Sequence, residues 1–213
     1  EILVKVRSVC PDAILCVSTS GRVFTRFEER SAVLDLAGPA KPEMASLTLG
    51  SMNFPQQASV NDPKMIHALA ETMKERGILP ELEVFDFGML DYAKYLIERK
   101  VLAGPHYFNF LLGSLGTLSA TPLNLAMLAE SRPAGATWAA AGIGRFQFFV
   151  NALAIAMGGH VRVGLEDNLF LDTGKKEPAT NLALVQRLVN LARAAGRTCA
   201  TPAEARRIIG LAS

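Results

Sequence analysis

The stretch Gly158-Gly-His-Val-Arg-Val-Gly-Leu-Glu-Asp-Asn168 places two adjacent carboxylates at the end of an apolar run. Apolar residues alternate with polar or small ones over Val161–Glu166, which predicts a strand that carries Arg162 and Glu166 on the same face. Asp167 then begins a loop. A carboxylate that ends a strand, with an arginine behind it, can hold a divalent metal or an anionic substrate. The alternative is an ordinary surface ion pair.

Further strand-like runs alternate with helix-like ones along the whole chain. The predicted strands are Ala13–Thr19, Ala45–Asn53, Leu82–Gly88, Tyr107–Ser114, Thr137–Gly144 and Val161–Glu166. Each is nearly continuous in apolar or small residues, so we expect both faces of the sheet to be covered. The helices between them have recognisable ends: Asp62 and Pro63 begin one that Gly77 ends, and Thr201-Pro-Ala-Glu204 is a capping box. This rhythm is typical of an α/β fold.

Two α/β architectures fit this pattern, an open doubly wound sheet and a β/α barrel. No Gly-x-Gly-x-x-Gly follows the first strand, as a dinucleotide-binding sheet would require. Polar residues or glycine instead recur at predicted strand ends: Ser18, Thr19, Ser51, Asn53, Asp86, Ser114, Gly144, Glu166 and Asp167. In a β/α barrel these ends meet at one active-site rim. The sequence therefore favours a single β/α-barrel (TIM-barrel) domain over residues 1–213.

The chain is short for a complete barrel. Eight strands and about 250 residues are usual, whereas six strands are predicted here, so about two β/α units are expected to be absent. The opening segment Glu1-Ile-Leu-Val-Lys-Val-Arg7 is typical of the end of a helix and does not begin with methionine. We therefore expect the absent units to be the first two.

Composition narrows the class of partner. Half of the 213 residues are apolar and the formal net charge is only +2, with no basic run or aromatic stacking motif, so nucleic acid is not expected as a partner. No stretch reaches the length of about 18 apolar residues needed to cross a membrane, and no signal peptide is evident. The three cysteines form no Cys-x-x-Cys. A soluble protein of the reducing cytoplasm is expected.

Several motifs together resemble those of the β-keto acid cleavage enzymes, the family of 3-keto-5-aminohexanoate cleavage enzyme. They are Val17-Ser-Thr-Ser-Gly21, Pro42-Glu-Met44, Gly50-Ser-Met-Asn-Phe54, Pro80-Glu-Leu-Glu-Val-Phe-Asp86 and the opening stretch Gly158–Asn168. The resemblance implies a β/α barrel that holds a divalent metal, usually zinc, and forms a homotetramer. It also implies an acyl exchange between a β-keto acid and acetyl-CoA, which releases acetoacetate and a new CoA thioester in a retro-Claisen type of cleavage.

The same resemblance implies roles for particular residues. Glu166 would be the carboxylate ligand of the metal, Arg162 would support the reactive centre, and Asp167 would assist proton transfer. The residues implied in substrate binding are Ser18, Gly21, Ser51 and Asn53. Glu83, in the Pro-Glu-Leu-Glu run, is either a further site carboxylate or a residue paired within the barrel.

One part of the family pattern is missing from this sequence. The metal site of the family also uses a His-x-His motif, and none occurs among the three histidines, His67, His106 and His160. His160 begins the strand that Glu166 is predicted to end, and six steps of about 3.3 Å would separate them by roughly 20 Å. One carboxylate alone does not make a zinc site.

Two other functions remain open at the level of the sequence. Gly142-Ile-Gly144 before a helix could bind a phosphate through backbone amides, as in a barrel aldolase or isomerase that acts on a phosphorylated small molecule. A tight strand-to-helix turn would explain the same glycines. The chain could also be a non-catalytic fragment that has lost its metal site and acts by association.

Overall fold

Strands and helices alternate along the chain in the computed structural model, which describes residues 1–54 and 56–211. The strands are β1 (Cys16–Val17), β2 (Met44–Thr48), β3 (Met52–Asn53), β4 (Ala58–Ser59), β5 (Leu79–Val84), β6 (Tyr107–Leu112), β7 (Thr137–Gly142) and β8 (His160–Val161). The α-helices are α1 (Ile2–Val9), α2 (Phe27–Ser31), α3 (Pro63–Arg76), α4 (Phe87–Glu98), α5 (Pro122–Ser131), α6 (Gln147–Ala156), α7 (Asn181–Ala194) and α8 (Pro202–Ile209).

The first of two units comprises Glu1–Val84, Gly88–Tyr107 and the segment from Ala200 onward. Its main strands lie in the order β1-β2-β5 and pair in parallel, with Leu47 opposite Leu82. Helix α3 packs against β2 and β5. A short antiparallel pair of strands, β3 and β4, follows β2. Because one face of α3 is apolar, its buried residues complete the core: Ile66, Leu69, Ala70 and Met73.

The second unit comprises Phe85–Phe87 and Phe108–Cys199. Its strands lie in the order β6-β7-β8, and β8 runs parallel to β7. Helix α6 packs on both β7 and β8. Phe110 lies between Phe108 and Trp138, with ring centroids 6.0 and 5.9 Å apart, so aromatic packing fills this core.

Parallel strands joined by helices that cover them are the repeat of a β/α barrel. The predicted α/β class, a TIM barrel represented by about six β/α units, is confirmed for the part of the chain that the structure describes. That part contains no helix with both the length and the apolar character needed to cross a bilayer. The assignment of residues 1–213 to a single domain stays a prediction.

All six predicted strands have different bounds in the structure. The strand predicted over Leu82–Gly88 is β5, which begins earlier, at Leu79. It also ends earlier, at Val84, because Phe87 already starts α4. The run Ala45–Asn53 divides into β2 and β3, separated by residues 49–51. The predictions for β1, β6 and β7 contain the observed strands but extend past their ends. Apolar composition predicted the existence of these strands better than their ends.

The strand predicted over Val161–Glu166 is wrong beyond its first residue. Strand β8 stops at Val161, and Glu166 lies in a turn. The carbonyl of Gly164 accepts from the amides of residues 167 and 168, while the amide of Leu165 donates to Asn181 Oδ1 over 3.0 Å. Because these groups are used by the turn and by a helix start, the alternating pattern does not continue as a strand.

The helix ends that were predicted from local signals are confirmed. Asp62 Oδ1 accepts from the amides of Lys64 and Met65, and Gly77 ends α3 in the left-handed conformation with φ 65°. Thr201 and Glu204 form the reciprocal bonds of a capping box at α8. These signals act over three or four residues, so tertiary packing does not override them.

Gly159 offers a test of the second core. A Cβ placed there would lie 2.4 Å from Cη2 of the buried Trp138 ring, so we expect Gly159→Ala to lower the free energy of unfolding by about 1–3 kcal/mol. Gly164→Ala is the matched control, because its Cβ would meet only Asn181 Oδ1, at 3.5 Å. Urea unfolding of both variants measures the difference. Equal unfolding midpoints would show that the indole does not fill this space.

Candidate active site

Arg162 binds both carboxylates of the opening stretch within the turn 162–168, here called the carboxylate turn. Its Nε donates to Asp167 Oδ2 over 3.1 Å, and its Nη2 donates to Asp167 Oδ1 over 3.3 Å and to Glu166 Oε2 over 3.1 Å. The Asp167 side chain is only 5% exposed, whereas that of Glu166 is 61% exposed. The arginine therefore fixes a buried aspartate, while the glutamate reaches solvent.

Three polar groups donate hydrogen bonds to backbone carbonyls of the carboxylate turn. Gly144 N donates to Asp167 O over 2.6 Å, Gln147 Nε2 donates to the carbonyl of Gly164 over 3.0 Å, and Asn151 Nδ2 donates to Arg162 O over 3.0 Å. Gln147 and Asn151 are fully buried on α6. Neither residue was among the site residues predicted from the sequence. Two amide side chains four residues apart in this helix were the signal.

The residues that the structure describes do not complete a zinc site. No group of three or more His, Cys, Asp or Glu side chains that could hold a metal ion occurs within residues 1–54 and 56–211. Glu166 has an exposed carboxylate, but that carboxylate is bound by Arg162. A tetrahedral zinc site needs three or four protein ligands, so this geometry supplies at most one of them.

Ser18, predicted to bind substrate, follows β1 in the first unit. It is exposed and lines a cavity of about 540 Å³ together with Ser20, Arg22, Phe54 and other side chains. The Arg22 guanidinium carbon lies 4.8 Å from the centroid of the Phe54 ring. Hydroxyl groups, a cation and aromatic surface therefore meet in one cavity, a combination that suits a small anionic ligand.

The other predicted substrate residues lie in the same unit. Ser51 Oγ accepts from the amide of Asn61 over 2.8 Å, and Asn53 is an exposed residue of β3 opposite Ala58. Gly21 is buried, and a Cβ there would lie 2.9 Å from Arg30 Nη1. The absence of a side chain at Gly21 therefore leaves room for the guanidinium of Arg30.

Glu83 lies on β5 and accepts a hydrogen bond of 2.7 Å from the hydroxyl of Thr48 on the neighbouring strand β2. The carboxylate is half-buried. A role as a site carboxylate stays a prediction. Glu83, Ser18, Gly21, Ser51 and Asn53 belong to the first unit, while Arg162, Glu166 and Asp167 belong to the second.

The glycines of Gly142-Ile-Gly144 have structural explanations. A Cβ at Gly142 would lie 2.3 Å from Phe146 O, so the strand-to-helix turn admits only glycine there. The amide of Ile143 donates to Leu112 O, and that of Gly144 donates to Asp167 O. Because two of the amides that a phosphate would need are already used, the segment is a tight turn and does not support the alternative of a phosphate-binding barrel enzyme.

The parallel β/α units place the protein in the β/α-barrel class. Its candidate site contains a buried aspartate, bound by an arginine, just after one of the strands. Residues 1–211 match the model of the beta-keto acid cleavage enzyme family. The chain is 44% identical over 207 residues to the 3-keto-5-aminohexanoate cleavage enzyme of Fusobacterium nucleatum subsp. nucleatum. This match covers 97% of this chain and 74% of that enzyme. This chain belongs to the beta-keto acid cleavage enzyme family, as its motifs predicted.

Two further similarities agree with this assignment. The chain is 37% identical over 219 residues to the 3-oxoadipate:acetyl-CoA acetyltransferase of Cupriavidus necator, covering 100% of this chain and 74% of that enzyme. The apo structure of ObcA superposes with a TM-score of 0.81 at 24% identity and covers 98% of this chain. That likeness shows the shared fold. The chain spans 53% of the ObcA chain, about half of its length.

Proposed function

We propose that this chain exchanges the acyl group of a β-keto acid with that of acetyl-CoA. In the balanced reaction, RCOCH₂COO⁻ and CH₃CO–SCoA give CH₃COCH₂COO⁻ and RCO–SCoA. The observation that carries the proposal is the bidentate Arg162–Asp167 pair, held by buried side chains in a member of this family. Relatives whose names include acetyl-CoA support the choice of acetyl-CoA as the second substrate.

Asp167 would accept and return the proton that an exchange of carbon–carbon bonds requires. The carboxylate is buried, and Arg162 holds both of its oxygens, so its direction is defined before a substrate arrives. General acid–base catalysis depends on this positioning as much as on acidity. The positive charge of Arg162 would also stabilise negative charge that develops on a nearby enolate oxygen.

Ser18 and Ser51 would supply binding groups for the substrate. Ser18 and Ser51 follow neighbouring parallel strands, and their hydroxyl groups can donate to a carboxylate or ketone oxygen. Ser18 lines the cavity that also contains Arg22 and Phe54. Carboxylate recognition by hydroxyl and guanidinium groups is consistent with a β-keto acid as the ligand.

We also propose that the enzyme requires zinc, that it is located in the cytoplasm, and that it forms a homo-oligomer. The family resemblance implies that this oligomer is a homotetramer. Support for zinc comes from the family resemblance and from the exposed carboxylate of Glu166, which would be one ligand. The described residues add no cluster that would complete the set. When bound, such a metal would act as a Lewis acid toward the substrate oxygens.

Acetoacetate formation tests this function. The complete gene product should release acetoacetate only when a β-keto acid and acetyl-CoA are both present, and chelation should abolish this activity until zinc is restored. Metal analysis by mass spectrometry of the untreated protein gives a second readout. Turnover that survives complete metal removal would sink the zinc dependence, and turnover of sugar phosphates without acetoacetate would favour the phosphate-dependent alternative.

A further inference from the structure

Arg30 is a buried arginine that binds the loop after β1. It belongs to α2 and is only 4% exposed. Its Nε donates to Thr19 O over 2.8 Å, its Nη2 donates to Asn61 Oδ1 over 2.6 Å, and its Nη1 donates to Val60 O over 3.3 Å. Gly21 lies against the same guanidinium. Arg30 therefore helps to fix the segment between Ser18 and Gly21. Ser46 contributes as well, because it also bonds Thr19.

Asn61 extends this contact to the loop after β2. Its backbone amide donates to Ser51 Oγ over 2.8 Å, and its Nδ2 donates to Gly50 O over 3.0 Å. Asn61 is 3% exposed. Because its Oδ1 simultaneously accepts from Arg30, the two side chains connect the segment that carries Ser18 with the segment that carries Ser51. Both amide atoms of Asn61 are used, which fixes its orientation.

Among the residues that the structure describes, no carboxylate contacts the Arg30 guanidinium. All three acceptors of its guanidinium are neutral oxygens. Burial lowers the pKa of Arg30, and the more distant Asp62 opposes that effect. An arginine side chain nevertheless stays protonated in proteins, so a positive charge remains next to these loops. Such a charge favours an anion bound at these loops, because a buried charge is screened less by salt than an exposed one.

We propose that Arg30 and Asn61 are positioning residues for β-keto acid binding. They hold the loops of Ser18 and Ser51 in the arrangement that binds the substrate carboxylate, and the charge of Arg30 stabilises that anion. The inference rests on the proposed function, because it takes a β-keto acid as the ligand. Neither side chain needs to touch the substrate, since each acts through backbone atoms and hydroxyl groups of the loops.

Three substitutions in the complete gene product separate geometry from charge. Arg30→Lys keeps the charge but loses the several N–H donors of the guanidinium, and Arg30→Met loses both. Asn61→Asp keeps an oxygen for Arg30, but it removes the donor to Gly50 and neutralises the charge of Arg30. We expect Arg30→Lys and Asn61→Asp to raise the KM for the β-keto acid about tenfold, and Arg30→Met about tenfold more. The KM for acetyl-CoA should stay within about twofold of the wild-type value, which corresponds to less than 0.5 kcal/mol.

Arg76→Lys is the control, because Arg76 forms a surface ion pair with Asp35 and should leave both KM values unchanged. Thermal unfolding shows which variants are folded. If neither Arg30 variant folds, the KM values of Asn61→Asp alone test the inference. Equal increases in both KM values, or a folded variant with unchanged KM for the β-keto acid, would overturn the inference.

Calorimetric binding of acetoacetate makes the result independent of turnover. If the wild type forms no acetoacetate but binds it, and the Arg30 and Asn61 variants bind it about tenfold more weakly, the proposed function fails while the positioning role stands. If the wild type does not bind acetoacetate, or the folded variants bind it equally well, the positioning role is wrong.

Discussion

Asp167→Asn is expected to lower the kcat of acetoacetate formation about a thousandfold, the usual contribution of a positioned proton-transfer group. Asparagine has nearly the same shape, and its oxygen can still accept from the guanidinium of Arg162, so the carboxylate turn should keep its fold. The amide cannot take up a proton at neutral pH. Single-turnover and steady-state rates, measured on protein with unchanged thermal unfolding, give the effect on kcat and KM separately.

Two further variants show whether the expected loss of kcat is specific to the Asp167 carboxylate. Asp35→Asn removes a charge from a surface pair with Arg76 and should leave kcat unchanged. Arg162→Met should also lower kcat, and the double variant with Asp167→Asn should lose less activity than the two single losses combined, because part of the arginine's effect is to orient the aspartate. Retention of a tenth or more of the wild-type kcat by Asp167→Asn would show that Asp167 does not transfer the proton.

The second large effect is a loss of stability expected at Glu43, the residue just before β2. Its Oε2 accepts from the amide of Leu15 over 3.0 Å and from Arg7 Nη2 over 3.2 Å, and its Oε1 accepts from both Nε and Nη2 of Arg206. Only 25% of the Glu43 side chain is exposed. This carboxylate therefore joins α1 and α8 to the start of β2, a long-range connection within the first unit.

Glu43→Gln should lower the free energy of unfolding by about 2–3 kcal/mol, because two guanidinium groups lose their partially buried counter-ion. Denaturant unfolding at neutral pH measures this difference. Glu75→Gln is the matched control: its carboxylate is 69% exposed and 3.8 Å from Arg76, so its removal should change stability by less than about 0.5 kcal/mol. Equal losses in the two variants would mean that the Glu43 cluster adds nothing beyond a surface pair.

The same cluster predicts a pH dependence of stability. Burial acts to raise the pKa of Glu43, but the amide of Leu15 and the guanidinium groups of Arg206 and Arg7 outweigh it and hold the pKa below its ordinary value of 4.5. A depressed pKa stabilises the folded state above the unfolded-state value, and this stabilisation is lost as the pH falls through the folded-state value. The difference between wild type and Glu43→Gln should therefore shrink as the pH falls below 4.5.

Local signals in the sequence were reliable where a few neighbouring residues complete the structure. The Asp62 and Thr201 caps bond to amides two or three residues away, and the left-handed glycines end their helices at once. Strand ends were predicted less well. Leu165 continues the apolar alternation past Val161, but its amide bonds to Asn181, a residue that no local pattern connects with it.

The site was predicted in part for the same reason. Motifs placed Arg162, Glu166 and Asp167 within six residues of one another, so their proximity followed from the chain itself, although the turn that joins them was not foreseen. Arg30 and Asn61 were missed, because a charged residue in an amphipathic helix and an asparagine before Asp-Pro have ordinary local explanations. Only burial and shared hydrogen bonds distinguish them.

The sequence by itself determined the α/β class, the family, the helix ends and the residues of the carboxylate turn, because each depends on composition or on contacts within a few positions. Tertiary structure alone decided that Arg162 binds both oxygens of a buried Asp167, that α6 anchors this turn, and that Glu43 joins distant helices to β2. Those features depend on which side chains leave water together, and that choice is made between segments far apart in the chain.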